Sequence, residues 1–393
     1  WSIESLTGVI KTYTEIPSID LSKKGAINEK NHSRQITTHY KNGPIKSSLG
    51  IYYLDSKTNQ NYDQKLPFND FSSQSYENKE FENIAFFGEV HFQILPRWSL
   101  FGGLRYDHEK LDFNSIFREV KNNQILASKK YSNDYSDDAL LPKIGINHNI
   151  NEDTLITLGA QNSYRSGGLG YDYLNSKEYS YDDENVWNYE FSLSGKMPQK
   201  NINYSASIFY MDWKDQQLSI PQIPGDTMSS LVINAKDSHV YGGEFEIQAK
   251  PSNSLLLYAS IGTAITEFKD FEFSQLQTQT NLSGQKFPRT PNYSASAGLE
   301  YQFEGGYFIG GDINYNSSRI SRSIFEGLER DDLASYTTLN FRIGYKTDEW
   351  TITAFANNLT DEEYFLYRYD TPKLQVGTLG LGRFFGLRAS YNF

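Results

Sequence analysis

Cysteine is missing from all 393 residues. Its absence excludes thiolate metal sites, disulfide staples and cysteine nucleophiles. Long apolar runs are missing as well. The notable uncharged stretch, residues 251–266, is broken by Ser, Asn and Thr. Nothing in the chain is therefore long and apolar enough to cross a bilayer as a helix. Basic residues are the minority, 37 against 48 acidic ones, for a net charge of −11. That balance argues against nucleic acid as a partner. Catalytic signatures are absent: there is no Gly-rich phosphate loop, no Gly-x-Ser-x-Gly elbow and no His-Glu-x-x-His zinc motif. The chain is expected not to be an enzyme. No leader is read at the start, where Trp1 runs directly into a strand pattern.

Aromatic residues are abundant: 29 Tyr, 25 Phe and 5 Trp make 15% of the chain, which argues against disorder. Apolar positions recur with a period of two. Phe385, Leu387, Ala389, Tyr391 and Phe393 share one face of a segment whose other face carries Phe384, Gly386, Arg388, Ser390 and Asn392. Tyr293, Ala295, Ala297, Leu299 and Tyr301 alternate with Ser294, Ser296, Gly298 and Glu300 in the same way. Side chains alternate faces only on a strand, so each segment has one apolar and one mostly polar face.

The alternation predicts about sixteen strands, at 1–13, 33–41, 46–54, 82–94, 98–111, 140–150, 154–164, 186–197, 202–218, 231–249, 255–268, 292–302, 307–316, 334–345, 350–358 and 380–393. Their links alternate short and long. Long ones fall at about 14–32, 55–81, 112–139, 165–185, 219–230, 269–291, 317–333 and 359–379. This rhythm is that of an outer-membrane barrel, with tight periplasmic turns and long extracellular loops. Tyr residues bracket apolar mid-segments, as in Tyr307–Ile309–Gly311–Ile313–Tyr315, where an interfacial girdle would put them. Lipid offers no hydrogen bonds, so such strands must close on one another. The expected fold is an all-β, transmembrane, antiparallel up-and-down barrel over 1–393, in the bacterial outer membrane. A soluble sandwich or propeller explains the alternation, though not the strand length or the loop rhythm.

Several stretches resemble a known family. LLPKIGINHNINEDTLITLGAQNSYRSGG (140–168) is similar to a passage of TonB-dependent outer-membrane receptors in which two strands lead to an Arg-x-Gly-Gly turn. VWNYEFSLSGKMPQKNINYSASIFYMDWKDQQL (186–218) resembles their Asn-Tyr-Glu strand and the Phe-Tyr-x-x-Trp-Lys-Asp strand after it. NAKDSHVYGGEFEI (234–247), the Pro288 and Pro291 pair, NNLTDEEY (357–364) and the terminal GRFFGLRASYNF (382–393) resemble further segments in the same order. Within that family the resemblance is to siderophore receptors of the yersiniabactin/pesticin kind.

The resemblance implies a 22-stranded barrel filled by an N-terminal plug, of which about sixteen strands and no plug are read here. The chain is thus expected to be a partial receptor, or else a complete pore without a plug. The implied partners are a ferric siderophore, outer-membrane lipid with lipopolysaccharide, and the TonB complex acting through a plug not present in this chain. The chain itself is expected to bind no cofactor; iron enters only within the ferric-siderophore ligand. The alternatives are a passive 16-stranded diffusion porin and a surface adhesin or phage-docking barrel.

A ferric chelate that is aromatic and anionic is captured by aromatic faces and Arg. The long links supply both. Candidate contacts are Tyr164, Arg165, Tyr171 and Tyr173 in one link, with Tyr179 and Tyr181 beside them. A second link supplies Arg319, Arg322, Phe325 and Arg330, and a third Tyr364, Phe365, Tyr367, Arg368 and Tyr369. The plainer reading is that these tyrosines pack the loops together and the arginines pair with nearby acids. Glu190, Glu244, Glu246, Glu300, Asp312 and Arg342, with Lys196, fall on the polar faces of their strands and are expected to line the lumen. No metal site is expected. The histidines stand singly, and the acidic clusters at Asp137–Asp138, Asp182–Glu184 and Asp331–Asp332 read as solvated loops or divalent-cation bridges.

Overall fold

The computed structural model describes residues 2–16, 23–65, 71–122, 124–172, 175, 177–222, 230–275, 278–322, 331–370 and 375–392. Sixteen strands follow one another in a single antiparallel order. They are β1 (Ser2–Ile16), β2 (Lys23–Asn42), β3 (Ile45–Lys65), β4 (Phe71–Leu95), β5 (Trp98–Lys121), β6 (Gln124–Asn151), β7 (Thr154–Arg165), β10 (Glu184–Met197), β11 (Ile202–Pro221), β12 (Ser230–Ser252), β13 (Leu255–Asp270), β16 (Tyr293–Gln302), β17 (Tyr307–Asn316), β20 (Tyr336–Lys346), β21 (Trp350–Asn357) and β24 (Phe384–Tyr391). Each matches one of the strands expected from the alternation. Four two-stranded hairpins sit in the links: β8 (Gly168–Asp172) with β9 (Lys177–Tyr181), β14 (Glu272–Gln275) with β15 (Thr278–Asn281), β18 (Arg319–Arg322) with β19 (Asp331–Leu333), and β22 (Phe365–Asp370) with β23 (Gln375–Leu379). The chain forms two compact units, one of residues 1–144 with 164–169, the other of residues 145–163 with 170–393.

The register sorts the residues by face. In the larger unit Leu257, Leu299, Gly311, Phe341, Ala356 and Phe385 are partners along one row. The adjacent row holds Leu256, Glu300, Gly310, Arg342, Phe355 and Gly386 on the opposite face. The first row is apolar, and its large side chains Leu299, Phe341 and Phe385 are all open at the surface. A sheet face of that composition is stable only against hydrocarbon. Aromatic residues mark both edges of the band. Tyr189, Tyr210 and Tyr241 form one row. At the opposite edge Tyr307 meets Tyr345 at 4.9 Å and Trp350 meets Tyr391 at 4.7 Å between ring centroids. Tyr293 and Tyr301 stand eight residues apart on one strand. That is about 26 Å along the strand before tilt, close to the height of an apolar band.

The turns at one end are tight because their residues tolerate positive φ. Gly43 (φ 53°) closes β2 onto β3, and Asn201 (φ 51°) follows a single 3-10 turn, Pro198–Lys200, between β10 and β11.

The long links differ from the expectation of irregular loops at 14–32, 55–81 and 112–139. Strands β2 to β6 continue through most of those residues, so β3 pairs β4 from Ile45↔Phe92 to Lys65↔Ser72. Beyond the apolar band both faces are polar, and the alternation that marks a strand in sequence fades while the backbone ladder goes on. A buried apolar cluster sits at the loop end of the larger unit. Ile220, Ala235, Phe268, Phe271, Phe273 and Leu282 pack together, with Phe287 against them. It ties the upper ends of β11, β12 and β13 to the β14–β15 hairpin.

Candidate functional site: an arginine and tyrosine cluster over a polar sheet face

The segment after β15 is built on that cluster. Phe287 packs on Phe268 (4.5 Å between centroids), and its backbone N–H donates to the Thr266 hydroxyl at 2.9 Å. Two residues on, the Arg289 N–H donates to the Ile320 carbonyl at 2.6 Å, with Arg289 at φ 64°. This fixes Arg289 beside β18. Its guanidinium lies 4.8 Å from the centre of the Tyr367 ring, a cation–π arrangement.

Strand β18 and strand β22 are stitched by side chain to backbone bonds. The Arg319 guanidinium donates to the Phe365 carbonyl at 2.9 Å. The Ser321 hydroxyl, fully buried, donates to the Arg368 carbonyl and accepts from the Arg368 N–H, both at 2.8 Å. Arg319 also stands 5.5 Å over the Tyr336 ring, and Tyr336 stacks on Tyr364. Arg368 in turn lies 5.8 Å from the Phe365 ring. Three guanidinium groups and four aromatic rings are thereby collected at one place. Burial, with Tyr336 beside it, holds the Tyr364 hydroxyl above the ordinary phenol range.

The sequence candidates divide accordingly. Arg319, Tyr364, Phe365, Tyr367 and Arg368 come together. Tyr173, Phe325 and Arg330 lie outside the described residues, as do the side chains of Arg322 and Tyr369. Tyr164 and Arg165 belong to the smaller unit, where Tyr164 lies near the Glu109 carboxylate. Tyr171 lies in β8 of the larger unit. Its neighbour Tyr179 holds backbone in place: the hydroxyl accepts the Val232 N–H at 2.8 Å, and burial raises it above the ordinary phenol range. Sequence reasoning missed Arg289 and Tyr336. Arg289 was visible only as part of a Pro-Arg-Thr-Pro string, and Tyr336 only as a position inside the expected strand 334–345.

The acidic clusters have protein partners. The Glu184 carboxylate accepts the Gln217 N–H at 2.7 Å, and the Asp138 carboxylate accepts the Tyr106 hydroxyl at 2.6 Å. Among the described residues no group of three or more His, Asp or Glu side chains is arranged to hold a metal.

The polar face of β16, β17 and β20 carries a connected network. Arg342 donates to Glu300 at 3.1 Å and to Asp312 at 3.4 Å. Asp312 also accepts Asn340 at 2.7 Å and Asn314 at 2.8 Å. A concavity of about 450 Å³ opens beside it, lined by Glu300, Asp312, Asn340, Arg342, Phe355 and Arg388. Glu190, Glu244 and Glu246 lie exposed on the same polar face of β10 and β12.

The NNLTDEEY stretch is a clasp. Asn358 takes a left-handed conformation (φ 47°), and its buried side chain donates to the Glu362 and Leu381 carbonyls and accepts the Glu362 N–H. Asp361 receives the Arg383 N–H at 2.8 Å. The last strand is thereby fixed to the end of β21.

A sheet with one hydrocarbon-compatible face, tight turns at one end and ordered hairpins at the other has the pattern of a membrane-spanning β-barrel. The chain belongs to the TonB-dependent receptor β-barrel family: the family described as "TonB dependent receptor-like, beta-barrel" matches residues 12–359. It is 22% identical over 354 residues to a pesticin receptor of Yersinia pestis, covering 88% of this chain and 49% of that one. The chain therefore spans about half the length of the curated relatives it matches. Its fold is similar to the ferric yersiniabactin uptake receptor of Yersinia pestis, with a TM-score of 0.76 at 18% identity, over 100% of this chain and 58% of that one. It is also similar to the siderophore receptor PiuA of Acinetobacter baumannii, with a TM-score of 0.68 at 15% identity, over 93% and 56%.

Proposed function

We propose that this chain is barrel from an outer-membrane receptor that captures a ferric siderophore at its extracellular loops. The observation that carries the reading is the convergence of Arg289, Arg319 and Arg368 with Tyr336, Tyr364 and Tyr367 on one loop cluster. Guanidinium groups balance the charge of an anionic chelate and give it paired hydrogen bonds. Ring faces stack on its aromatic parts. The Tyr364 hydroxyl, kept protonated, donates to a chelating oxygen. Tyr171 and Arg165, with Tyr164, Tyr173 and Arg322, remain proposed contacts from other links of the chain. A ferric yersiniabactin uptake receptor and a siderophore receptor among the similar structures support a siderophore as cargo.

In this reading the lumenal network of Glu300, Asp312, Arg342, Glu190, Glu244 and Glu246 is the wall against which a plug segment hydrogen-bonds. Import follows when TonB, working through that plug, rearranges it. Iron is cargo and never a resident group, and no catalysis is involved. The test is uptake of radiolabelled ferric siderophore by iron-starved cells with the gene intact, deleted, or carrying Arg319→Ala with Arg368→Ala. Loss of uptake on deletion and its severe reduction in the double variant are expected. Uptake that survives deletion, or steady ion conductance of the protein in a planar bilayer as a passive porin would give, contradicts the reading.

A further inference from the structure

A β-bulge in the link after β17 reaches all three arginines of the loop cluster. Strand β18 pairs with β19 at Arg319↔Leu333, Ile320↔Asp332 and Arg322↔Asp331, which leaves Ser321 as an extra residue outside the ladder. A bulge bends its strand and re-aims a side chain. This one turns the Ser321 side chain onto β22, where it is fully buried at 0% exposure. A buried hydroxyl is costly without partners. Ser321 has two, the carbonyl and the N–H of Arg368. Its hydroxyl thus stands in for one rung of main-chain ladder between two hairpins that form separate sheets. Strand β22 is bulged as well, at Leu366, between the pairs Phe365↔Leu379 and Tyr367↔Thr378.

The two residues before Ser321 complete the arrangement. The Ile320 carbonyl accepts the Arg289 N–H at 2.6 Å. Arg289 sits at φ 64°, a conformation that a residue with a side chain keeps only where its surroundings enforce it. Arg319 donates to the Phe365 carbonyl at 2.9 Å. Arg319, Ile320 and Ser321 therefore supply one guanidinium and fix the main chain beneath the other two. Like charges repel, so guanidinium groups do not gather unaided. Bonds to backbone decide where each one starts.

We infer that Ser321 is a positioning residue of the capture site. It is buried beneath the cluster and acts through Arg368, by fixing the main chain from which that guanidinium projects. The inference rests on capture of an anionic ferric chelate by this cluster, and it adds which buried group sets the geometry.

The test titrates the full-length protein in detergent with the ferric complexes of salicylate, catechol and citrate, three anionic chelates, by quenching of tryptophan fluorescence. The tightest of them is carried forward, and amide hydrogen exchange is followed without ligand. Ser321→Ala is expected to weaken that binding roughly tenfold, the effect of two lost hydrogen bonds, and to speed exchange at residue 368. Arg368→Ala is expected to weaken binding too. The double variant should fall within about twofold of Arg368→Ala alone, because Ser321 then has nothing left to position. A serine that only stabilises the fold would add its loss to that of Arg368→Ala, and additive losses overturn the inference. Full affinity in Ser321→Ala, with affinity lowered in Arg368→Ala, overturns it while leaving capture by the cluster intact. Full affinity in Arg368→Ala, or no saturable binding of any of the three complexes, removes capture by the cluster and this inference with it. Should Ser321→Ala fail to fold, judged by its shift on heating in gels, exchange in the unaltered protein decides. The amides of Arg289 and Arg368 are expected to be protected together, and free exchange at either one overturns the inference.

Discussion

The rings of Tyr336 and Tyr364 lie face to face, 4.0 Å between centroids and 9° from parallel. Tyr336 opens β20, while Tyr364 closes the link after β21, so the stack joins two strand ends that the chain separates by 28 positions. With Arg319 5.5 Å from the Tyr336 ring, it forms part of the loop cluster. Such a pair contributes about 0.5–1.5 kcal/mol beyond the area it buries. Tyr364→Ala is expected to speed amide hydrogen exchange at residues 365–368 while leaving the strands of the sheet protected. Uniform protection in the variant would show that the stack is incidental.

The same residue gives a pH dependence. Burial places the Tyr364 phenol above its unfolded value, opposed by Arg319. A raised value means that the neutral form is favoured on folding. The contribution is complete below about pH 10 and is lost as pH rises through the folded value. An alkaline absorbance titration should contain a late phenol component, shared with Tyr179, that loses one phenol in Tyr364→Phe. No change on that substitution would count against the buried, protonated hydroxyl.

Asn358 is the strongest stability prediction. Its buried amide makes three hydrogen bonds in a left-handed turn. Asn358→Ala is expected to cost about 2–4 kcal/mol from those bonds. Asn358→Gly relieves the backbone while losing the same bonds, and should fall between the unaltered protein and the Ala variant. Urea unfolding in detergent micelles reads the order, and a Gly variant less stable than the Ala variant would refute the backbone argument.

On the polar face of the sheet, Arg342 serves two carboxylates, Glu300 and Asp312, and is about a quarter exposed, at 27%. Solvent screening reduces what each pair is worth. Arg342→Gln is expected to cost about 1–2 kcal/mol, chiefly through the unpaired acids. A double-mutant cycle with Glu300→Gln should return a coupling of at least about 0.5 kcal/mol. A coupling of zero would mean that the network is a surface arrangement with no energetic role.

Much of the fold was legible because the membrane imposes a simple code. Phe385, Leu387 and Ala389 against Gly386 and Arg388 could only be a strand with one greasy face, and the sixteen expected segments match the sixteen strands of the sheet. The code ends where the lipid ends. Residues 72–81 of β4 carry Ser, Gln, Glu, Asn and Lys, yet pair with β3 and β5 throughout. Backbone hydrogen bonds hold them, and backbone is silent in sequence. The loop cluster was half legible. Arg319, Tyr367 and Arg368 were signalled by aromatic and Arg density in long links. Arg289 and Tyr336 enter through a backbone bond to Ile320 and a ring stack across strands, relations that exist only after folding.

The central claim is that the Arg and Tyr cluster of the loops seizes the ferric chelate. Fluorescence quenching of the purified protein in detergent, titrated with the ferric siderophore and with its iron-free form, tests it most directly. The account predicts tight, saturable binding of the ferric form, weakened roughly tenfold or more when Arg319→Ala and Tyr367→Ala remove a charge-assisted pair and a stacked ring. Affinity for the ferric chelate that is unchanged in that double variant would contradict it.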